Sequence, residues 1–154
     1  MFCIVRNPFD RLVSEFRYAQ HKYYRSRKCS VDGLNSYVAR HISMNEDNKL
    51  KDFGQNCHLL SQTAYIHSSK GGTAGSLGCT TILRYENLNN DFLNLTKWSG
   101  MKLGSLDGLR YNQKSNQTNC NVTDKDLSSD SIARIASAYA KDFHVLEYSI
   151  TPSN

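Results

Sequence analysis

Residues 2–16 read FCIVRNPFDRLVSEF, and how this stretch is read decides the fold. Phe2 to Val5 is a short apolar run of strand formers, the pattern of a buried parallel strand. Asn7 is a favoured helix N-cap, and Pro8 suits the first helical position. From there Phe9, Leu12, Val13, Phe16, Gln20 and Tyr23 share one helical face, with Gln20 its single polar member. Arg11, Ser14 and Tyr18 fall on the opposite side. The helix is predicted to run to about Arg25. It ends in the basic stretch HKYYRSRK, 21–28, where positive charge suits a helix C-terminus.

Outward from this unit, Val31 to Ile42 reads as a second helix capped by Ser30, with Leu34, Tyr37, Val38 and Ile42 inward. MNEDNKLKDFGQ, 44–55, is a polar loop. Leu59 to Ile66 is either a short helix or an irregular stretch, and SSKGGTAGSLG, 68–78, is a glycine-rich turn region. Cys79 to Tyr85 is the second convincing strand, rich in β-branched residues. Asn89 to Trp98 reads as a short helix, followed by a Gly-, Asn- and Ser-rich loop to Asn121. Thr123 and Asp126 form a capping-box pattern that is expected to start a last helix. Its inward residues are Leu127, Ile132, Ile135, Ala136 and Tyr139. Strands alternating with helices imply an α/β fold with a small parallel sheet flanked by helices. The first strand reads as buried on both faces, so neighbouring strands are expected on each side, supplied by strands not recognised or by sequence upstream of Met1.

The 154 residues are expected to form a single domain, with no internal repeat or linker. Lys and Arg total 19 against 14 acids, and this mild excess favours anionic partners. No run approaches the ~20 apolar residues of a membrane span, and Arg6 and Asp10 interrupt any signal-peptide core. Five cysteines leave at least one without a partner in the chain, and their spacing has no zinc pattern. Sequons at Asn94, Asn116 and Asn121 matter only in a secretory lumen.

Arg6 ends a strand where a helix begins, and that junction is an anion site on physical grounds. The first helical N–H groups lack partners, the helix dipole favours negative charge, and arginine adds a forked cation. Ser14, about two turns on, adds a hydroxyl. The plainer alternative is that Arg6 pairs with Asp10 or another acid and Ser14 is merely exposed. The run Lys22, Arg25, Arg27 and Lys28, interleaved with Tyr23 and Tyr24, is either a solvated helix end or a grip for an acidic glycan or RNA. His58 and His67 are possible bases or structural residues, and Glu86 ends a strand.

Arg6 to Phe16 resembles the 3′-phosphate-binding motif of sulfotransferases that use 3′-phosphoadenosine 5′-phosphosulfate (PAPS), most closely the carbohydrate-type branch. The motif is an arginine ending a strand, a proline two residues on and a serine eight residues on, here Arg6, Pro8 and Ser14. HLLSQTAYI (58–66) is similar to the family's segment around a Pro-Gln pair, with Ser61 where proline is usual. ILRYENLNNDFLNL (82–95) resembles its strand and acidic-Asn-Leu turn, and RYNQKSN (110–116) its loop near the cofactor. YAKDFHVLEYS (139–149) resembles its closing helix and tail.

The resemblance implies a partial P-loop-like sulfotransferase fold and transfer of a sulfuryl group from PAPS to a hydroxyl of a carbohydrate. Arg6 and Ser14 would bind the 3′-phosphate, with Asn112, Lys114 and Ser115 closing over the nucleotide. No metal is implied, and no catalytic residue is assigned. Glu86 would hold its turn together. Relatives carry the phosphosulfate loop and the usual base upstream of the arginine motif. The chain is therefore expected to be an N-terminally truncated domain lacking its first βα unit. A non-catalytic nucleotide-binding remnant and a basic nucleic-acid-binding module are the alternative functions. A Golgi location would follow for a carbohydrate-type relative with an upstream anchor, and a soluble one otherwise.

Overall fold

The computed structural model of the chain describes residues 1–20, 29–46, 58–66, 78–100, 106 and 120–152. Strand β1 (Phe2–Val5) pairs in parallel with β2 (Thr81–Arg84), in a register that sets Phe2 opposite Thr81 and Val5 opposite Arg84. Among the described residues six helices accompany this two-stranded sheet: α1 (Pro8–Ala19), α2 (Val31–Glu46), α3 (Gln62–Ile66), α4 (Leu88–Ser99), α5 (Ser129–Ala138) and α6 (Ala140–Val145). One-turn 3-10 helices span Tyr85–Asn87 and Asp124–Asp126. The chain is thus mixed α/β and mostly helical, with a small parallel sheet flanked by helices. None of the helices described is long and apolar enough to cross a membrane.

The first helix starts as its sequence dictates. Asn7 Oδ1 accepts from the Phe9 amide at 2.9 Å, and Pro8 occupies the first turn. Phe9, Leu12, Val13 and Phe16 are buried against α2, α5 and α6, and Gln20 just past the helix is buried too. Phe9 packs on Phe143 at 5.0 Å between ring centres, and Phe16 meets Tyr37 at 5.5 Å. Leu34, Val38 and Ile42 of α2 are buried in the same cluster. A second, smaller cluster of Val5, Ile66, Cys79 and Leu146 lies against one face of the sheet.

Three expectations need correction. β1 is not buried on both faces: Val5 is 1% exposed, but Phe2 and Ile4 are 44% and 45% exposed. A four-residue apolar run does not distinguish a strand covered on one face from one covered on two. The Thr123–Asp126 capping box forms, yet it closes only the 3-10 turn. Leu127 then turns extended to reach the core, and α5 starts afresh from Ser128. Asn35 of α2 fixes that restart, its Oδ1 accepting from the Ser128 amide at 2.8 Å and the Ser131 hydroxyl at 2.7 Å. Finally, the last helix breaks at Tyr139, whose hydroxyl donates to the Leu59 carbonyl at 2.8 Å.

After α6 the chain reverses through Glu147, held in the left-handed region at φ 55°. The Tyr148 amide bonds the Phe143 carbonyl and the Glu147 amide the His144 carbonyl, the paired closure of a Schellman turn. This reversal brings Tyr148 back beside β2.

Two disulfides tie distant segments. Cys3–Cys79 joins β1 to the approach to β2, and Cys29–Cys120 joins the approaches to α2 and the Asp124–Asp126 turn, across 76 and 91 residues. The fifth cysteine, Cys57, lies outside the described residues. Replacing Cys29 and Cys120 by serine should lower stability by about 2–5 kcal/mol, since the cross-link restricts the unfolded chain. Urea denaturation of oxidised wild type and the double variant measures it. An unchanged midpoint would mean that this bridge does not form.

Candidate functional site

The site lies at the carboxyl ends of the two parallel strands, where open α/β sheets place their ligand crevices. Arg6 follows β1, and Tyr85 and Glu86 follow β2. Gln62, at the start of α3, clamps the Arg6 backbone from the side away from β2. The Arg6 amide donates to Gln62 Oε1 at 2.8 Å, and Gln62 Nε2 donates to the Arg6 carbonyl at 2.7 Å. One side chain thus does for the backbone of Arg6 what a neighbouring strand would do.

Gln62 is itself held by Asp142 of α6, which is fully buried. Asp142 accepts from the Gln62 amide at 2.7 Å, from the Thr63 amide at 2.9 Å and from the Ser61 hydroxyl. The carboxylate caps the N-terminus of α3, where a negative charge also suits the helix dipole. Ser61, standing where the resembled family has proline, contributes the hydroxyl to that cap.

On the other side, Glu86 holds the turn. Its Oε1 accepts from the Asn7 amide at 2.6 Å, and its Oε2 accepts from the Tyr148 hydroxyl at 3.0 Å. Burial first, and then the Glu86 carboxylate, push the Tyr148 hydroxyl well above its ordinary pKa, so it remains a donor. Arg84 lies over the Tyr148 ring at 4.7 Å and donates to the Leu146 carbonyl at 2.7 Å.

This arrangement changes where an anion would find its donors. The Asn7 amide is taken by Glu86, the Phe9 amide by Asn7 itself, and Pro8 has none. The guanidinium of Arg6 remains. Its Nε is buried and makes no hydrogen bond, and its plane stacks on the exposed Tyr85 ring at 4.4 Å. Among the described residues it forms no salt bridge with Asp10, although the Asp10 carboxyl feels its charge. A cation with an unused buried donor is a fit partner for a phosphate oxygen. Beside it an open cleft of about 520 Å³ is lined by Tyr85, Glu86, Asn87, Leu88, Asn89 and Asn90.

Ser14 stands two turns into α1, half-buried, on the same helix face as Asp10. Asn112, Lys114 and Ser115 lie outside the described residues, as do His67 and the basic run 21–28. His58 is not directed to the crevice. Its Nδ1 meets Glu15 at 2.7 Å and its ring lies 5.6 Å from that of Tyr18. Among the described residues no cluster of His, Cys, Asp and Glu is placed to hold a metal ion. The reading of the sequence missed Gln62, Asp142, Tyr85 and Tyr148 as site-building residues. Its only signal was that they fall in the segments 58–66, 82–95 and 139–149 quoted for the resemblance.

A family model described as the sulfotransferase family matches residues 1–149. The chain belongs to the sulfotransferase family, whose reaction is sulfuryl transfer from a sulfate-donor co-substrate. Comparison with curated proteins gave no match, and comparison with solved structures gave none.

Asp10 yields a pH prediction. Burial pushes its carboxyl above the ordinary value, with Arg6 pulling it partly back. The folded chain therefore holds a proton that the unfolded chain releases, and the contribution of Asp10 to stability falls as pH rises above ~4. Urea midpoints of wild type should decline relative to Asp10→Asn as pH rises above ~4. Parallel curves would show that Asp10 is not perturbed.

Proposed function

We propose that the chain binds PAPS through its 3′-phosphate at Arg6 and takes part in sulfuryl transfer to a carbohydrate hydroxyl. The observation that carries this reading is the Arg6 guanidinium, whose buried Nε has no hydrogen-bond partner among the described residues and which lies over Tyr85 beside the cleft. Ser14 supplies a hydroxyl to the same phosphate, and Asn112, Lys114 and Ser115 close over the nucleotide. The likeness of Arg6 to Phe16 to the carbohydrate-type branch supports the acceptor class.

In the reaction, the acceptor hydroxyl oxygen attacks sulfur in line. The bond from sulfur to the bridging phosphate oxygen breaks, and adenosine 3′,5′-bisphosphate leaves with the electron pair. The hydroxyl proton passes to a base. Arg6 touches none of the atoms that change bonds. Its contribution is register: it holds the far end of the nucleotide so that the phosphosulfate lies in one place. Stacking on Tyr85 keeps the guanidinium plane fixed, and the Gln62 clamp keeps its backbone fixed, so little side-chain freedom remains to be lost on binding.

The two disulfides support placing this chemistry in an oxidising compartment such as the secretory lumen. Calorimetric titration with adenosine 3′,5′-bisphosphate tests the nucleotide reading. Wild type should bind it more tightly than adenosine 5′-monophosphate, and Arg6→Ala should lose about 10–100-fold in affinity, the worth of a charge-assisted hydrogen-bond pair. Equal affinity of the variant, or no preference for the 3′-phosphate, would overturn the assignment.

A further inference from the structure

Helix α4 carries two side chains that its fold does not use. Asn94 is exposed, and its side chain makes no hydrogen bond among the described residues. Trp98, one turn further along the same face, is 83% exposed and is the sole tryptophan of the chain. Its indole offers a broad flat apolar face to whatever lies beside it. Asn94, Leu95 and Trp98 line one side of an open groove of about 570 Å³, with Thr80 to Arg84 of the β2 edge on the other.

Asn94-Leu95-Thr96 is an N-x-Thr acceptor sequence, and so is Asn121-Val122-Thr123. Asn121 is likewise exposed and without a side-chain hydrogen bond among the described residues. It adjoins Cys120, which is in disulfide linkage with Cys29. Sequon, exposure and a neighbouring disulfide belong to the same compartment: the lumen that oxidises cysteines is the one that glycosylates asparagines.

We propose that Asn94 and Asn121 are N-glycosylated, and that the first sugar on Asn94 lies over the Trp98 ring. In the transfer, the Asn Nδ2 bonds to the anomeric carbon of a lipid-diphosphate-linked oligosaccharide. The bond from that carbon to the phosphate oxygen breaks, the lipid diphosphate leaves with the electron pair, and the amide loses one proton. The donor is the preassembled oligosaccharide of the secretory pathway. The C–H face of an N-acetylhexosamine matches the width of an indole, and attachment one turn away places it within reach of Trp98. The glycan then covers an aromatic ring that would otherwise promote association, and keeps the β2 edge from pairing with other chains. This inference is independent of the nucleotide reading.

The test uses the protein isolated from the cells that make it. Amide-cleaving glycosidase treatment converts each occupied asparagine to aspartate. Peptide mass spectrometry should find that conversion at Asn94 and Asn121, with Cys3–Cys79 and Cys29–Cys120 linked in the same sample. Asn94→Gln and Asn121→Gln should each remove one glycan from the protein. Iodide quenching of the single tryptophan should increase, with a red-shifted emission, in Asn94→Gln but not in Asn121→Gln. Disulfide-linked protein with both asparagines unmodified would overturn the proposal, and so would free cysteines with unmodified asparagines. Occupied Asn94 with quenching unchanged on its removal would overturn the contact with Trp98.

Discussion

A single buried carboxylate, that of Asp142, sets the position of everything around the crevice. An ionised group taken fully out of water is costly unless its oxygens are saturated with donors. Asp142 meets that condition with two backbone amides and a hydroxyl from residues 61–63. The same bonds fix where α3 begins, and hence where the Gln62 side chain extends. Gln62 in turn holds both backbone polar groups of Arg6. Helix α6, the short α3 and the end of β1 are thus one unit, although the bonds that join them link residues 56 to 81 apart in sequence.

A second link closes the other side of the turn. Glu86 bridges the Asn7 amide and the Tyr148 hydroxyl, and the left-handed turn at Glu147 delivers Tyr148 to it. Between these supports the Arg6 backbone is fixed on both edges, while its guanidinium lies over the Tyr85 ring. The Asn7 and Phe9 amides are held within the protein, and it is the Arg6 side chain that the proposed anion site relies on.

Much of this was legible in the sequence. The Asn7 cap, Pro8 and the apolar spacing from Phe9 to Phe16 specify α1 by local rules, and β1 and β2 stand out by their strand formers. The features that were not legible are those in which a distant contact overrides a local preference. Asn35 and the burial of Leu127 move the start of α5 past a well-formed capping box. Two exposed positions in β1 could not be foreseen from a run of four apolar residues. Gln62 and Asp142 look like ordinary surface polar residues until the fold places them face to face. Glu86, read as a turn-holding residue, does hold the turn, but its partners Asn7 and Tyr148 come from the two ends of the chain.

Amide hydrogen exchange at Arg6, compared between wild type and Asp142→Asn, tests this dependence most directly. Asparagine keeps the size of the side chain but turns one acceptor into a donor facing an amide. The account predicts that Arg6 and Thr63 amides are strongly protected in wild type and exchange much faster in the variant, while amides of the α1–α2 core keep their protection. Unchanged protection at Arg6 in a folded variant would contradict it, showing that the arginine turn holds its shape without the buried carboxylate.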